Sequence, residues 1–106
     1  MKFSTTEFNK EITVTLTGPI AYEDSAYLNN RLMDLVYNRK ETIILDLKDV
    51  PSLNTGLLSL IIKTNTILAK QGRTLKLAHA NDQTANLFAM MRLTDSYIFI
   101  DTMETA

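Results

Sequence analysis

Residues 42–62 read TIILDLKDVPSLNTGLLSLII and contain two apolar runs joined by a polar loop. The first run, residues 43–45, ends in Asp46-Leu47 and is typical of a strand. A loop over residues 48–53 follows, and Asn54-Thr55-Gly56 opens the second run, which is typical of a helix. The pattern predicts a strand, a loop and a helix that begins with a hydroxyl-bearing residue at one edge of a sheet.

The predicted start of this helix offers a place to display a side chain. The first backbone N–H groups of a helix have no partner within the helix, so Asn54 or Thr55 is predicted to cap them. A phosphate on Thr55 would lie near the positive end of the helix dipole. Two interpretations stay open for each residue: Thr55 and Asn54 serve only as capping or turn residues, or they form a recognition site. Gly56 either lets the loop meet the helix closely or lets a partner approach the backbone.

The segments before this stretch predict a hairpin and a helix. Residues 11–17 alternate strictly between apolar and polar positions, which is typical of a half-buried strand, and Gly18-Pro19 ends it. Residues 3–8 form a weaker strand pattern, and Asn9-Lys10 between the two strands predicts a tight turn. A helix is predicted from residues 23–25 to residues 38–40, with its apolar positions on one face.

The segments after it predict two more strands and one more helix. The central helix is predicted to end at residues 70–71 with Gly72 as its stop. Strands are predicted at residues 74–78 and 96–100, with a helix over residues 83–93. The resulting order, ββαβαβαβ, predicts an α/β fold with a mainly parallel mixed sheet and an N-terminal antiparallel hairpin at its edge.

The hydrophobic pattern also predicts a core. Residues 43–45 are apolar at consecutive positions within the strand predicted over residues 42–47, which predicts a strand covered on both faces. The side chains predicted to be buried are Ile12, Val14, Leu16, Leu28, Leu32, Ile44, Leu57, Ile61 and Leu87. Phe88, Met90 and Met91 are interpreted as core residues, with an adaptable binding surface as the alternative.

Composition limits the classes of function. The chain has 106 residues, of which 45% are hydrophobic, and its 11 basic and 12 acidic residues give a net charge of -1. We expect one domain over residues 1–106 and no nucleic-acid partner, since no basic block could follow a phosphate backbone. The N-terminus lacks the apolar core of a signal peptide and no apolar run could span a bilayer, so we expect a cytoplasmic protein without membrane insertion.

The residue types needed for catalysis or metal binding are scarce. The chain contains no cysteine and a single histidine, His79, which we interpret as a solvated or satisfied strand-end residue. Neither a Gly-x-Ser-x-Gly elbow nor a phosphate-binding Gly-Lys-Ser/Thr loop is present. We therefore expect no catalytic residue, no metal site and no cofactor.

The sequence resembles the STAS family, the domains of sulfate transporters and anti-sigma factor antagonists. The resemblance rests on ITVTLTGPI at residues 12–20, on LDLKDVPSLNTGLLSL at residues 45–60 and on LFAMMRLTDSYIFI at residues 87–100. It extends from about residue 3 to residue 100. Each motif is short, and their order and spacing together are specific.

An ungapped alignment from Asp46-Leu47 gives the resemblance its site residues. The family valine falls on Val50, the family aspartate on Asn54 and the phosphorylatable serine or threonine on Thr55. A second acidic position of the family falls on Ala21, and the usual glycine after the phosphorylation site falls on Leu57. An alignment shifted by one residue would place the phosphorylation site on Asn54 and the acid on Leu53. We prefer the ungapped alignment because it keeps residues 45–53 in step.

The resemblance implies a non-enzymatic protein-interaction switch. Its partner would be an anti-sigma factor or a regulatory serine/threonine kinase, and phosphorylation of Thr55 would control binding. The partner-binding residues would be Ser52, Leu53, Asn54, Thr55, Gly56 and Leu57. Two alternatives stay open: a constitutive STAS accessory subunit that binds the ATPase of an ABC lipid transporter, and a small-molecule or nucleotide sensor that binds an anion at the helix N-terminus.

Overall fold

The computed structural model describes residues 1–51, 55–80, 86 and 98–100, and of residues 98–100 it describes the backbone. Three residues of the predicted site, Ser52, Leu53 and Asn54, lie outside the described residues. Most of the helix predicted over residues 83–93 lies outside them too, including Leu87, Phe88, Met90 and Met91. None of the helices in the described ranges combines the length and the apolar character that a membrane span requires.

The chain begins with the predicted hairpin. Strand β1 (Lys2–Phe8) pairs antiparallel with strand β2 (Glu11–Thr17), and Phe8 lies opposite Glu11. The two residues between the strands, Asn9 and Lys10, have φ angles of 50° and 64°. Positive φ at both central positions defines a type I′ turn, whose twist matches that of the paired strands. The hairpin prediction is confirmed.

The rest of the described chain alternates between helices and parallel strands. A 3-10 turn (Tyr22–Asp24) leads into helix α1 (Ser25–Asn38), and then follow strand β3 (Thr42–Asp49), helix α2 (Thr55–Lys70), strand β4 (Lys76–Ala78) and strand β5 (Ile98–Ile100). The five strands lie in the order β1-β2-β3-β4-β5, and every pair after the hairpin is parallel. The predicted fold class, a mixed α/β sheet with an antiparallel edge hairpin, is confirmed.

The sheet is covered by α1 and α2 on one face. Because strands β2, β3 and β4 follow one another across the sheet, right-handed crossovers place both helices on the same side, where they pack against each other. Strand β3 accordingly alternates, with Ile43, Leu45 and Leu47 buried. The prediction that Ile44 is buried is wrong. Ile44 points to the opposite face and is half-buried.

The core lies between the two helices and the sheet. Burial is confirmed for the predicted residues Ile12, Val14, Leu16, Leu28, Leu32, Leu57 and Ile61. Polar groups within this layer have partners: the Thr64 hydroxyl donates to the carbonyl of Leu60 at 2.7 Å, and the backbone N–H of Leu75 donates to Asn65 Oδ1 at 3.4 Å. The burial of the predicted apolar residues shows that the hydrophobic pattern of α1 and α2 sets which side of each helix faces the sheet.

Helix α2 ends at the predicted glycine. Gly72 has a φ of 73°, and its N–H donates to the carbonyl of Ala69 at 3.0 Å. The N–H of Arg73 donates to the carbonyl of Leu68 at 2.8 Å, which completes a Schellman motif. The Arg73 guanidinium then donates to the carbonyl of Val36 at the end of α1. The two helix C-termini are thus joined at the edge of the sheet where β3 begins.

Candidate functional site

Helix α2 begins at Thr55, six residues after the last residue of β3, Asp49. Thr55 and Gly56 are exposed, whereas Leu57 and Leu58 are only 2% and 8% exposed. Two residues of the predicted partner-binding set are therefore available at the surface among the described ones. The Leu57 side chain lies in the core, so it contributes no contact surface in this conformation.

The surface that begins at Thr55 is neutral. The first turn of α2, residues 55–58, contains no charged side chain. The next exposed residue on this side of the helix is Ser59, one turn further on, and Lys63 follows after another turn. Ser59 is not among the predicted site residues, although its spacing of four residues from Thr55 is the signal that identifies it. The first turn of α2 contains no acidic side chain that would compete with an anion at Thr55 for the positive end of the helix dipole.

The end of β3 contains a β-bulge. Thr15 lies opposite Asp46 and Thr17 opposite Asp49, so β3 has one residue more than β2 in this interval. The Lys48 N–H donates to Asp46 Oδ1 at 3.0 Å, and a side chain thus supplies the acceptor for a residue of the bulge. The N–H of Gly18 donates to the carbonyl of Asp49 at 2.9 Å and restores the pairing of the two strands.

His79 connects the end of β4 to this bulge. Its Nδ1 lies 3.0 Å from Asp46 Oδ1, and the two side chains are 18% and 19% exposed. Nδ1 carries the hydrogen in this pair, since a carboxylate only accepts. His79 has a φ of 58°, a left-handed conformation that costs energy for a residue with a Cβ. The interpretation of His79 as a satisfied strand-end residue is confirmed. Of the described residues, no three of the His, Asp and Glu side chains are grouped so as to hold a metal ion.

We expect the bond between His79 and Asp46 to stabilise the bulge. His79→Gly and His79→Asn both relieve the positive φ, and only asparagine can still donate to the carboxylate. In urea unfolding, His79→Gly should therefore be less stable than His79→Asn by about 1 kcal/mol. The hydrogen of the Lys48 amide should also exchange faster in His79→Gly than in His79→Asn. The same two substitutions in an Asp46→Ala background are the control. That background lacks the acceptor, so only the backbone difference between glycine and asparagine remains. An equal difference in unfolding free energy between the two variants in both backgrounds would show that the side-chain bond contributes nothing.

The connection from β2 to α1 lies at the same edge of the sheet, because the carboxyl ends of parallel strands share one edge. Tyr22 in this connection is 88% exposed, which the sequence analysis did not predict. The N–H of Ala21 donates to Asp24 Oδ2 at 2.8 Å. A carboxylate is therefore present beside the backbone of Ala21, the position at which the resembled family has an acid, although it comes from a residue three places later.

The opposite edge of the sheet contains a cavity of about 610 Å³. It is lined by Lys10, Asn38, Arg39, Lys40, Glu41 and Thr42. The Arg39 guanidinium pairs with the carboxylates of Glu7 and Glu41, which raise the pKa of Arg39, and its hydrogen bonds lower the pKa of Glu41. The Arg39 charge is thus balanced by two carboxylates. Because β2 and β3 begin at this edge, the cavity is remote from Thr55, which lies beyond the end of β3.

Comparison with known families and structures matches this arrangement to one family. The family model of the STAS domain matches residues 3–106. Among curated proteins, none matches the sequence.

Solved structures have the same fold at low identity. A Thermotoga maritima protein described as a candidate anti-sigma factor antagonist is 18% identical, with 97% of this chain and 89% of that chain covered and a TM-score of 0.83. An anti-sigma factor antagonist from Mycobacterium paratuberculosis is 15% identical, with coverages of 92% and 83% and a TM-score of 0.80. The Bacillus cell fate determinant SpoIIAA in its phosphorylated form is 11% identical, with coverages of 98% and 96% and a TM-score of 0.78. At these identities the similarity shows the fold alone.

Proposed function

This chain belongs to the STAS domain family, and on that premise we propose that it is a non-enzymatic protein-interaction switch of the anti-sigma factor antagonist kind. Its partner is an anti-sigma factor or a regulatory serine/threonine kinase that docks on the surface around the start of α2. Phosphorylation of Thr55 controls the docking. The observation on which the proposal rests is that Thr55 is exposed at the first residue of α2, where the ungapped alignment places the phosphorylation site.

The charge of this surface gives the switch its physical basis. Thr55, Gly56 and Ser59 are exposed and neutral, so a partner loses little hydration energy when it covers them. A phosphate on Thr55 adds about -1.5 to -2 charges to that surface. Covering the phosphate would require its desolvation, and acidic groups of the partner would repel it. Phosphorylation therefore releases the partner, and dephosphorylation restores binding.

The structural neighbours support a phosphorylation switch. SpoIIAA has been solved as an anti-sigma factor antagonist in an unphosphorylated form and as a Bacillus cell fate determinant in a phosphorylated form. Both forms have the fold of this chain, with TM-scores of 0.76 and 0.78. We extend the property to this chain because Thr55 occupies an exposed helix start that a kinase can reach.

Comparative affinity capture from the native cell tests the proposal. The bait is the full chain as wild type, as Thr55→Glu and as Thr66→Glu, the last being a control with the same charge change at another exposed threonine of α2. We expect the wild type and the control to retain a kinase or anti-sigma factor, identified by mass spectrometry, and the Thr55→Glu bait to retain several-fold less. Glutamate supplies about one charge, so its effect should be partial.

Two outcomes of the capture would contradict the proposal. Equal retention by all three baits would show that the start of α2 is not the docking surface. Recovery of the ATPase subunit of a lipid transporter, with Thr55 unmodified on the native protein, would favour the constitutive accessory-subunit alternative.

A further inference from the structure

Strand β1 is an edge strand whose outward backbone groups can be identified. A two-residue turn makes Phe8 and Glu11 a pair that exchanges both backbone hydrogen bonds, and such pairs alternate along an antiparallel ladder. The bonding of β2 to β3 agrees with this alternation. Thr42 donates to the carbonyl of Lys10 at 3.1 Å, so the even-numbered residues on the β2 side bond to β3 and the odd-numbered ones bond to β1. The even-numbered residues of β1 therefore bond to β2. The N–H and C=O groups of Phe3, Thr5 and Glu7 point away from the sheet.

We propose that β1 pairs antiparallel with β1 of a second copy of this chain, about a two-fold axis at Thr5. Paired residues must share a face of the sheet, and only Phe3, Thr5 and Glu7 offer free backbone groups on this side. With Thr5 opposite its copy, Phe3 of each chain lies opposite Glu7 of the other. Two bonds in each of these three pairs give six backbone hydrogen bonds. A shift by two residues in either direction leaves two such pairs, so the register centred on Thr5 is the favoured one.

The side chains of β1 complement one another in this register. On the open face of the sheet, the Lys2 ammonium lies opposite Phe8 of the second copy, whose ring is 74% exposed, and a cation is attracted to an aromatic face. On the helix face, Glu7 lies opposite Phe3 of the second copy, a ring that the Arg31 guanidinium of its own chain covers at 5.1 Å from the centroid. Charges of the same sign do not face each other in the strand pairs. The strand is therefore complementary to its own copy.

Helix α1 adds aromatic surface to the same edge. Tyr27 contacts Phe3 edge to face, with 6.3 Å between the ring centroids, and Tyr27 is still 51% exposed. Because a two-fold axis through β1 keeps both helix layers on one side, it brings the Tyr27 sides of the two α1 helices toward each other. The central part of β1, residues 4–6, has no charge, proline or bulge, the devices that usually protect an edge strand from pairing.

A charge-swap experiment at Thr5 tests the dimer. Thr5 meets its own copy on the axis, so Thr5→Lys alone and Thr5→Glu alone each place like charges opposite each other. In sedimentation velocity at low salt we expect a wild-type dimer, a dissociation constant raised roughly tenfold or more for each variant, and recovery of the dimer in their equimolar mixture. Thr66→Lys and Thr66→Glu are the controls and should dimerise like the wild type.

Thr5→Pro provides a second test that keeps the monomer intact. The Thr5 N–H points away from β2, so proline removes an intermolecular donor and leaves the β1–β2 ladder complete. We expect this variant to be folded by circular dichroism and to sediment as a monomer. The proposal would be overturned if the wild type stayed monomeric up to about millimolar concentration. It would also be overturned if the equimolar mixture of Thr5→Lys and Thr5→Glu dimerised no more tightly than either variant alone. Thr55 lies outside this interface, so either result leaves the phosphorylation switch to its own test.

Discussion

Replacing Ile61 with alanine is expected to lower the free energy of unfolding by about 2–5 kcal/mol. Ile61 is completely buried, on the side of α2 that packs against the sheet. The loss combines the transfer free energy of the removed methyl and methylene groups with the cost of the cavity that they leave. Leu32→Ala removes the corresponding anchor of α1, which is 2% exposed, and should cost a similar amount.

Ile62→Ala is the matched control for this prediction. Ile62 has the same side chain on the same helix, but it is only partly buried at the margin of the core. Its replacement removes the same atoms with a smaller loss of burial, so the urea midpoint should fall much less than for Ile61→Ala. Equal midpoints for the two variants would mean that the face of α2 toward the sheet has been assigned incorrectly.

The elements that could be predicted from the sequence are those determined by local patterns. The alternation in residues 11–17 identified β2 and its buried face, and Asn9-Lys10 identified the turn before it. Gly72 ended α2 because a left-handed residue is needed there, and glycine adopts that conformation without strain. In each case the deciding interactions join residues close in the chain, so the sequence pattern contains the necessary information.

The features that could not be predicted depend on strand order or on contacts between distant residues. Ile43 and Ile44 are identical in type and adjacent, and only the placement of both helices on one face makes the first buried and the second half-buried. The pairing of His79 with Asp46 joins two strands, and no spacing rule connects these residues. The exposure of Tyr22 likewise depends on how the β2–α1 connection lies on the surface.

The placement of the candidate site residues could be predicted in part. The start of α2 at Thr55 and the exposure of Thr55 agree with a displayed hydroxyl group. Including Leu57 among the partner-binding residues conflicts with the helical pattern, because Leu57 and Ile61 are four residues apart and therefore lie on the same buried face. Helical spacing alone would have placed Leu57 in the core and Ser59 at the surface on the side of Thr55.

Phosphorylation of Thr55 is the second result with a large expected effect. Once the kinase is identified, incubation with ATP should add one phosphate to the wild-type chain, and Thr55→Ala should abolish the addition in an intact-mass measurement. Thr66→Ala removes another exposed hydroxyl from α2 and should leave the addition unchanged. A phosphate that is present on the Thr66→Ala variant and absent from the Thr55→Ala variant would assign the modification to Thr55.

The residue before Thr55 should set the rate of this transfer. The ungapped alignment places the family aspartate on Asn54, and a neutral amide binds a metal ion more weakly than a carboxylate does and does not accept a proton at neutral pH. If the kinase uses that carboxylate to orient the hydroxyl or to hold its metal, Asn54→Asp should speed phosphorylation of Thr55. A stable complex in which Thr55 is never modified, and in which Thr55→Glu still weakens binding, would give the opposite conclusion. Thr55 would then be an interface contact in a constitutive assembly, and its hydroxyl group would need no neighbouring acid.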